Sequence, residues 1–451
     1  MSQIKNGYDL ELKSIIDNNS NLFIPYSTSH IGDIFSSYTE NGGNQHFIDS
    51  DLSFISKLTE NKCLIYQGKD VLLDYINPKD LFYDRVRNKD NFKDLSFDSV
   101  FNLSDFDEES KVKIEPLLHQ FKSIPIDRLL TQTIKDPNTT NHMKDLFPGL
   151  IENPTMEGFI NSLDKMINSM NESIGYKKFR NFIQQESDIN RDEIYNSENP
   201  FDRIYQKHKR KKTNPIKFID SEKFDLEWFN NICNDYLILD SHGYQEDKVN
   251  IEKGRKETFK NTFEDSMHAA FASTCHFYVT NDKKSYSKTK MVYKNQSIET
   301  IVFKPTEFVE YYNKYLNVQN EMVNFTILYN IISTKEFNEE ELSDGGILRT
   351  YYSPFLFFNF FNKIMILYPE DGSDNILLLG KYNFSNHRTY FIEIKKLYIN
   401  LCVIFGSDID NLGEIKDKEL SEENWIGRKW IKENMTFRLA NSNGHLQLYF
   451  E

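Results

Sequence analysis

Apolar positions recur at helical spacing along much of the chain up to about residue 320, then fall into short, often alternating runs. Residues 8–20 predict a first helix, closed by the polar turn Asn18-Asn19-Ser20-Asn21. Leu22 to Ser27 is a short apolar run suited to a strand. Ser29 predicts the cap of a helix with His30, Asp33 and Ile34 in its opening turns. Residues 47–61 predict another helix, with Phe47, Leu52, Ile55 and Leu58 on its apolar side.

From 83 to 215 periodic segments (Val112–Phe121, Ile126–Ile134, Met156–Met170) alternate with Asn/Asp/Pro-rich breaks, and no strand pattern stands out. This stretch predicts a helical insertion ending in the basic run His208-Lys209-Arg210-Lys211-Lys212. Residues 224–239 predict a helix and 240–260 a polar loop. Then come a helix around Asp265, a strand from Cys275, a helix over 284–295, a strand over 299–303 and a helix opened by Pro305. That rhythm implies a parallel sheet flanked by helices. Beyond 320 the runs 376–379, 389–394, 401–405, 436–439 and 445–450 predict an α+β or β-rich domain, with the apolar 355–367 stretch in its core.

The densest chemistry lies in Asp265-Ser266-Met267-His268-Ala269-Ala270-Phe271-Ala272 and the following Cys275-His276-Phe277-Tyr278-Val279-Thr280-Asn281-Asp282. It reads as a helix with an acid in its first turn, its small residues lying close to a sheet, and a strand ending on a second acid. Ligands of open α/β sheets bind at that carboxyl edge, and converging carboxylates suit a hard divalent cation. Each acid also has a plain structural reading: a helix-start charge for Asp265 and a turn residue for Asp282. Asp240 fits a further ligand or a helix-ending turn.

Composition bounds the function. With 451 residues, 39% hydrophobic and 14% aromatic, the chain is long enough for two or three packed domains rather than disorder. A net charge of -14 argues against binding nucleic acid over the whole surface, though not through a local basic groove. Four dispersed cysteines imply reduced thiols and a cytoplasmic setting, and no membrane span is expected.

Ile24-Pro25-Tyr26-Ser27-x-x-His30-x-x-Asp33, Asp265-x-x-His268-Ala269-Ala270-x-Ala272 and Val279-Thr280-Asn281-Asp282-Lys283 together resemble the PIN-like nuclease domain. Ile298 to Phe308 looks like its closing strand and helix. The resemblance covers roughly 8–82 and 216–312. It implies a discontinuous PIN-like domain (1–82 and 216–315); the helical insertion (83–215) and the C-terminal accessory domain (320–451), a candidate surface for a protein partner, lie outside it. It further implies a Mg²⁺- or Mn²⁺-dependent ribonuclease of defence or toxin–antitoxin type. Asp33, Asp265 and Asp282 would be metal-holding catalytic acids, with Thr280, Asn281, His268 and His30 supporting them. Lys209, Arg210, Lys211, Lys283 and Lys284 are candidate contacts to nucleic acid, RNA before DNA. The family's opening strand and its acid have no counterpart ahead of the first helix, where Asp9 is the nearest carboxylate. The alternative is a catalytically degenerate relative that binds nucleic acid or a protein through the same groove.

Overall fold

The computed structural model describes residues 2–5, 7, 9–18, 22–39, 42–67, 70–88, a few positions between 116 and 125, 150, 152–170, 172–219, 226–246, 258–317, 321–381, 390–420, 422, 425–442 and 445–451. The chain divides into two units: residues 24–302, and a terminal unit that joins 1–23 to 303–451. The boundaries differ from those expected. The first helix and the Pro305 helix belong with the C-terminal residues, and residues 83–215 do not separate from the unit around them.

In the terminal unit α1 (Ser2–Lys5) precedes α2 (Leu10–Asn18), whose first turn is capped by Asp9: its Oδ1 accepts the Leu12 N–H at 3.0 Å. Asp9 is therefore a helix cap.

The 24–302 unit opens with β1 (Tyr26–Ser27) and α3 (Thr28–Ser36), followed by α4 (Gln45–Thr59), β2 (Lys62–Gln67), β3 (Asp70–Tyr75) and α5 (Pro78–Arg87). The strand expected over Leu22–Ser27 is only its last two residues. The α3 cap is Ser27 rather than Ser29, which lies buried inside the first turn. Strand β1 pairs parallel with β2, and β2 antiparallel with β3. Among the described residues the 83–215 stretch continues with α6 (Met156–Met170), α7 (Ser173–Glu186), α8 (Arg191–Ile194) and α9 (Pro200–Lys211). The segments 112–121 and 126–134 lie almost wholly outside the described residues.

Helix α10 (Glu227–Ser241) is buried from Asn230 onward except at Asn231, and is the spine on which α11 (Phe259–Ala272) and α12 (Lys283–Asn295) pack. Strands β4 (Phe277–Val279) and β5 (Ile301–Phe303) pair beside them. Where one parallel sheet is expected, the described strands of this unit thus form two small sheets, β1-β2-β3 and β4-β5. The fold is mixed α/β.

The terminal unit continues with α13 (Pro305–Tyr311), a π-helical turn over Tyr312–Leu316, and α14 (Glu321–Thr334). Its strands are β6 (Asn338–Glu341), β7 (Ile347–Phe357), β8 (Phe361–Tyr368), β9 (Ile376–Gly380), β10 (Arg428–Lys432), β11 (Met435–Ser442) and β12 (His445–Phe450). They form one antiparallel sheet ordered β10-β11-β12-β9-β8-β7-β6. The 355–367 stretch is core as expected, its β7–β8 hairpin burying Phe355, Phe357, Phe360, Phe361 and Ile364. The runs 389–394 and 401–405 are not strands. From Tyr390 both belong to α15 (Tyr390–Phe405), because buried Ile394, Leu397 and Leu401 fall three and four residues apart. A short α16 (Asp417–Leu420) carries Glu419, which clamps buried Arg428 through bonds of 2.9 and 3.2 Å.

Candidate functional site

Thr258 begins α11, its hydroxyl accepting the Asn261 N–H at 3.3 Å, so six helical residues precede Asp265. Asp265 is therefore a mid-helix residue and not the first-turn charge expected, and its position gains nothing from the helix dipole. Buried Ala269 and Ala270 do allow close packing, but chiefly against helix α10 rather than a sheet.

Helix α3 supplies Asp33. His30 turns back to its own cap, its Nδ1 accepting the Ser27 N–H at 3.1 Å. That bond places the ring edge-on to His268, with centroids 4.5 Å apart. His268, one turn beyond Asp265, meets Asp33 Oδ2 through Nε2 at 2.8 Å. Burial opposes charge on His268, but the bonded Asp33 carboxylate outweighs it and raises the imidazole above its ordinary value. His30 moves the other way, well down, through burial and the neighbouring His268.

Asp282 follows β4, as expected, and caps α12. Its Oδ1 accepts the N–H groups of Lys284 (2.9 Å) and Ser285 (2.7 Å). Thr280 shapes this turn, its Oγ1 accepting the Asp282 N–H at 3.2 Å, whereas Asn281 is exposed. The three predicted acids act on one another. Burial pushes Asp265 up to about 7; Asp33 and Asp282 add to the rise, and His268 and Lys288 oppose it.

Several neighbours were not foreseen. Asp240 is buried in a cationic cage: Lys288 Nζ donates to Oδ1, Tyr176 Oη to Oδ2 at 2.6 Å, and Arg180 lies 3.5 Å from Oδ2. Burial alone would raise this carboxyl, but Lys288 and Arg180 hold it below its usual range. Asp240 is thus neutralised by protein cations. The only advance signal for Lys288 was its position one turn past Lys284. The hydroxyls of Ser285 on α12 and Tyr236 on α10 face each other, buried and without a well-formed hydrogen bond. Glu264, beside Asp265 in sequence, is buried and paired with Arg85 at 2.7 Å.

No family model, curated protein or solved structure matches the chain. Its chemistry is read from its own side chains.

Oxygen donors suit Mg²⁺ or Mn²⁺. Among the described residues no group of three or more His, Cys, Asp or Glu could hold a metal ion by itself. Mg²⁺ sites commonly use one or two carboxylates, with water and substrate phosphate completing the shell. Asp265 and the free oxygen of Asp282 fit that open kind of site. Asp33 reaches it through His268.

Of the candidate nucleic-acid contacts, Lys283 is exposed and Lys284 Nζ donates to the Glu246 carbonyl at 2.9 Å. Burial and nearby Lys288 lower Lys284 to about 8. Lys209 and Arg210 are exposed on α9, while Lys211 is tied to the Glu186 carbonyl at 2.6 Å.

Proposed function

We propose that residues 24–302 carry a PIN-like nuclease core and that the chain hydrolyses phosphodiester bonds in single-stranded RNA with Mg²⁺ or Mn²⁺. The observation that carries this reading is the meeting of Asp33 with His268, one turn from Asp265 on a different and sequence-distant helix. Asp282 joins them electrostatically from the end of β4. The parallel β1–β2 pair is compatible with such a core.

In this reading Asp265 and Asp282 would hold the cation. When bound, a divalent cation lowers the pKa of a water and offsets charge developing on phosphate. The chain's own groups do the rest. His268 binds Asp33 through Nε2, so the imidazole is oriented one turn from Asp265 without a rearrangement cost. The Thr280 turn fixes Asp282 against α12. Lys283 and Lys284 stand at the start of that helix, within reach of an incoming phosphate oxygen. The accessory sheet, with its protein-partner role, and a place in defence or a toxin system belong to the same proposal.

The test is cleavage of labelled RNA and DNA with Mn²⁺ by the wild type, Asp265→Asn and Asp282→Asn. Loss of roughly a hundredfold or more in both variants is expected. Equal degradation by all three overturns the site.

One observation favours a binding-only descendant: Asp33 is already committed to His268, and one Asp282 oxygen to two backbone N–H groups. Salt-sensitive RNA retention without cleavage under any divalent cation would establish it.

A further inference from the structure

Helix α9 ends in Lys209, Arg210 and Lys211 after buried His208, and Lys212 follows at its C-cap, but the four are not equivalent. Lys211 is bound to the Glu186 carbonyl, and the earlier Lys207 to the Asp188 carbonyl at 2.8 Å. Lys209, Arg210 and Lys212 are exposed and have no ion-pair partner among the described residues. In a chain of net charge -14 with acids throughout, a cluster of unpaired cations is out of keeping with its surroundings. The helix dipole favours cations at a carboxyl terminus by about 0.3–1 kcal/mol each, and unlike Lys207, which has the Asp188 and Glu193 carboxylates at 3.7 and 3.8 Å, these three keep their charge toward solvent.

The cluster is also firmly mounted. His208 Nε2 meets His242 Nε2 at 3.0 Å, and His208 Nδ1 meets Thr213 Oγ1 at 2.9 Å. His242 closes α10, two residues after the caged Asp240. The loop that follows, residues 242–246, is held from both sides. Glu246 bonds Arg191 and Gln184 through its carboxylate and receives Lys284 Nζ on its carbonyl. The exposed cations at the end of α9 and the lysines beside Asp282 therefore both lie next to residues 242–246.

We propose that the backbone of single-stranded RNA crosses the 242–246 loop, running from the Asp265 site past Lys283 and Lys284 to Lys209, Arg210 and Lys212. This rests on the nuclease reading for where the strand is cut, and it adds a second anchoring place outside the resembling segments. Three cations at that end contact phosphate, so binding there is sequence-tolerant and falls with salt.

The test uses the full chain in EDTA, so that nothing is cut, with a fluorescent single-stranded RNA and a matched single-stranded DNA. The triple variant Lys209→Glu/Arg210→Glu/Lys212→Glu changes only exposed side chains, and its melting temperature checks the fold. Affinity is expected to fall about tenfold or more near 0.1 M salt, and the slope of log Kd against log salt by about 2, from ~0.7 per phosphate contact. Reversing Lys57 and Lys429, exposed cations on other elements, should leave that slope intact. Equal losses in the two variants, or an unchanged triple variant, overturn the proposal. If the triple variant loses RNA but no form cleaves with Mn²⁺, the surface stands and the nuclease reading falls. If wild type cleaves and the triple variant keeps its affinity and slope, the surface falls alone.

Discussion

Asp265 is an acid whose surroundings resist its charge, and stability should record this. Its carboxyl lies near 7 in the fold against about 3.8 in the open chain, so the folded form binds more protons between those values. Stability contributed by this group is therefore present at low pH and lost as pH rises from about 4 through 7. In cation-free buffer Asp265→Asn should melt higher than wild type at pH 8 and show a flatter melting-temperature profile across that window. A second prediction concerns Lys288. Lys288→Met leaves the buried Asp240 carboxylate without its bonded cation and should cost about 3–5 kcal/mol in urea unfolding. Adding Asp240→Asn, which removes the carboxylate charge but keeps an acceptor for Tyr176 and Arg180, should recover part of that loss. The sequence exposed Asp282 through its place after an aromatic strand. It hid Lys288 and Arg180, because burial of a cation depends on partners that no local pattern announces.

At the scale of elements, the approach of α3 to α11 decides whether Asp33 and His268 meet. Gly32 makes the approach possible: a Cβ there would lie 2.3 Å from Glu264 Oε1. Glu264 is pinned by Arg85, so its carboxylate has little freedom to retreat. Gly32→Ala should cost about 1–3 kcal/mol of stability and loosen the Asp33–His268 bond, read as a lower melting temperature and, under the proposed nuclease function, as weaker RNA cleavage. Elements with a strong helical period were legible, among them the helix over Met156–Met170 and the one after Asp282. Strands β2 and β3 were not read, since Lys62–Gln67 and Asp70–Tyr75 mix polar and apolar positions without a clean alternation. Helix α15 was misread as two strands because it is apolar on nearly every side, which masks its period. The link from His208 to His242 was invisible: it joins two sequence-distant helices through side chains alone.

Over the whole molecule, the terminal unit is built from both ends of the chain, and α2 packs on α13 within it. Leu12 and Ile15 are buried, and each large apolar side chain withdrawn from water is worth about 1.5–3 kcal/mol. Removing residues 1–20 should therefore speed amide exchange in 303–451 while leaving that of 24–302 nearly unchanged. Uniform acceleration in both units would contradict this division. Gly427 sets a similar condition on the large sheet. Its φ of +88° and the Leu439 carbonyl, 1.6 Å from where a Cβ would sit, leave no room for a side chain.

That two-ended construction has a bearing on how the protein is made. Helix α2 leaves the ribosome well before α13, the helix it packs on, which is translated only after all of 24–302. At about 5–20 residues per second the wait is on the order of tens of seconds. During that interval α2 is an unsatisfied amphipathic segment, open to chaperones, while the middle of the polypeptide is already able to fold.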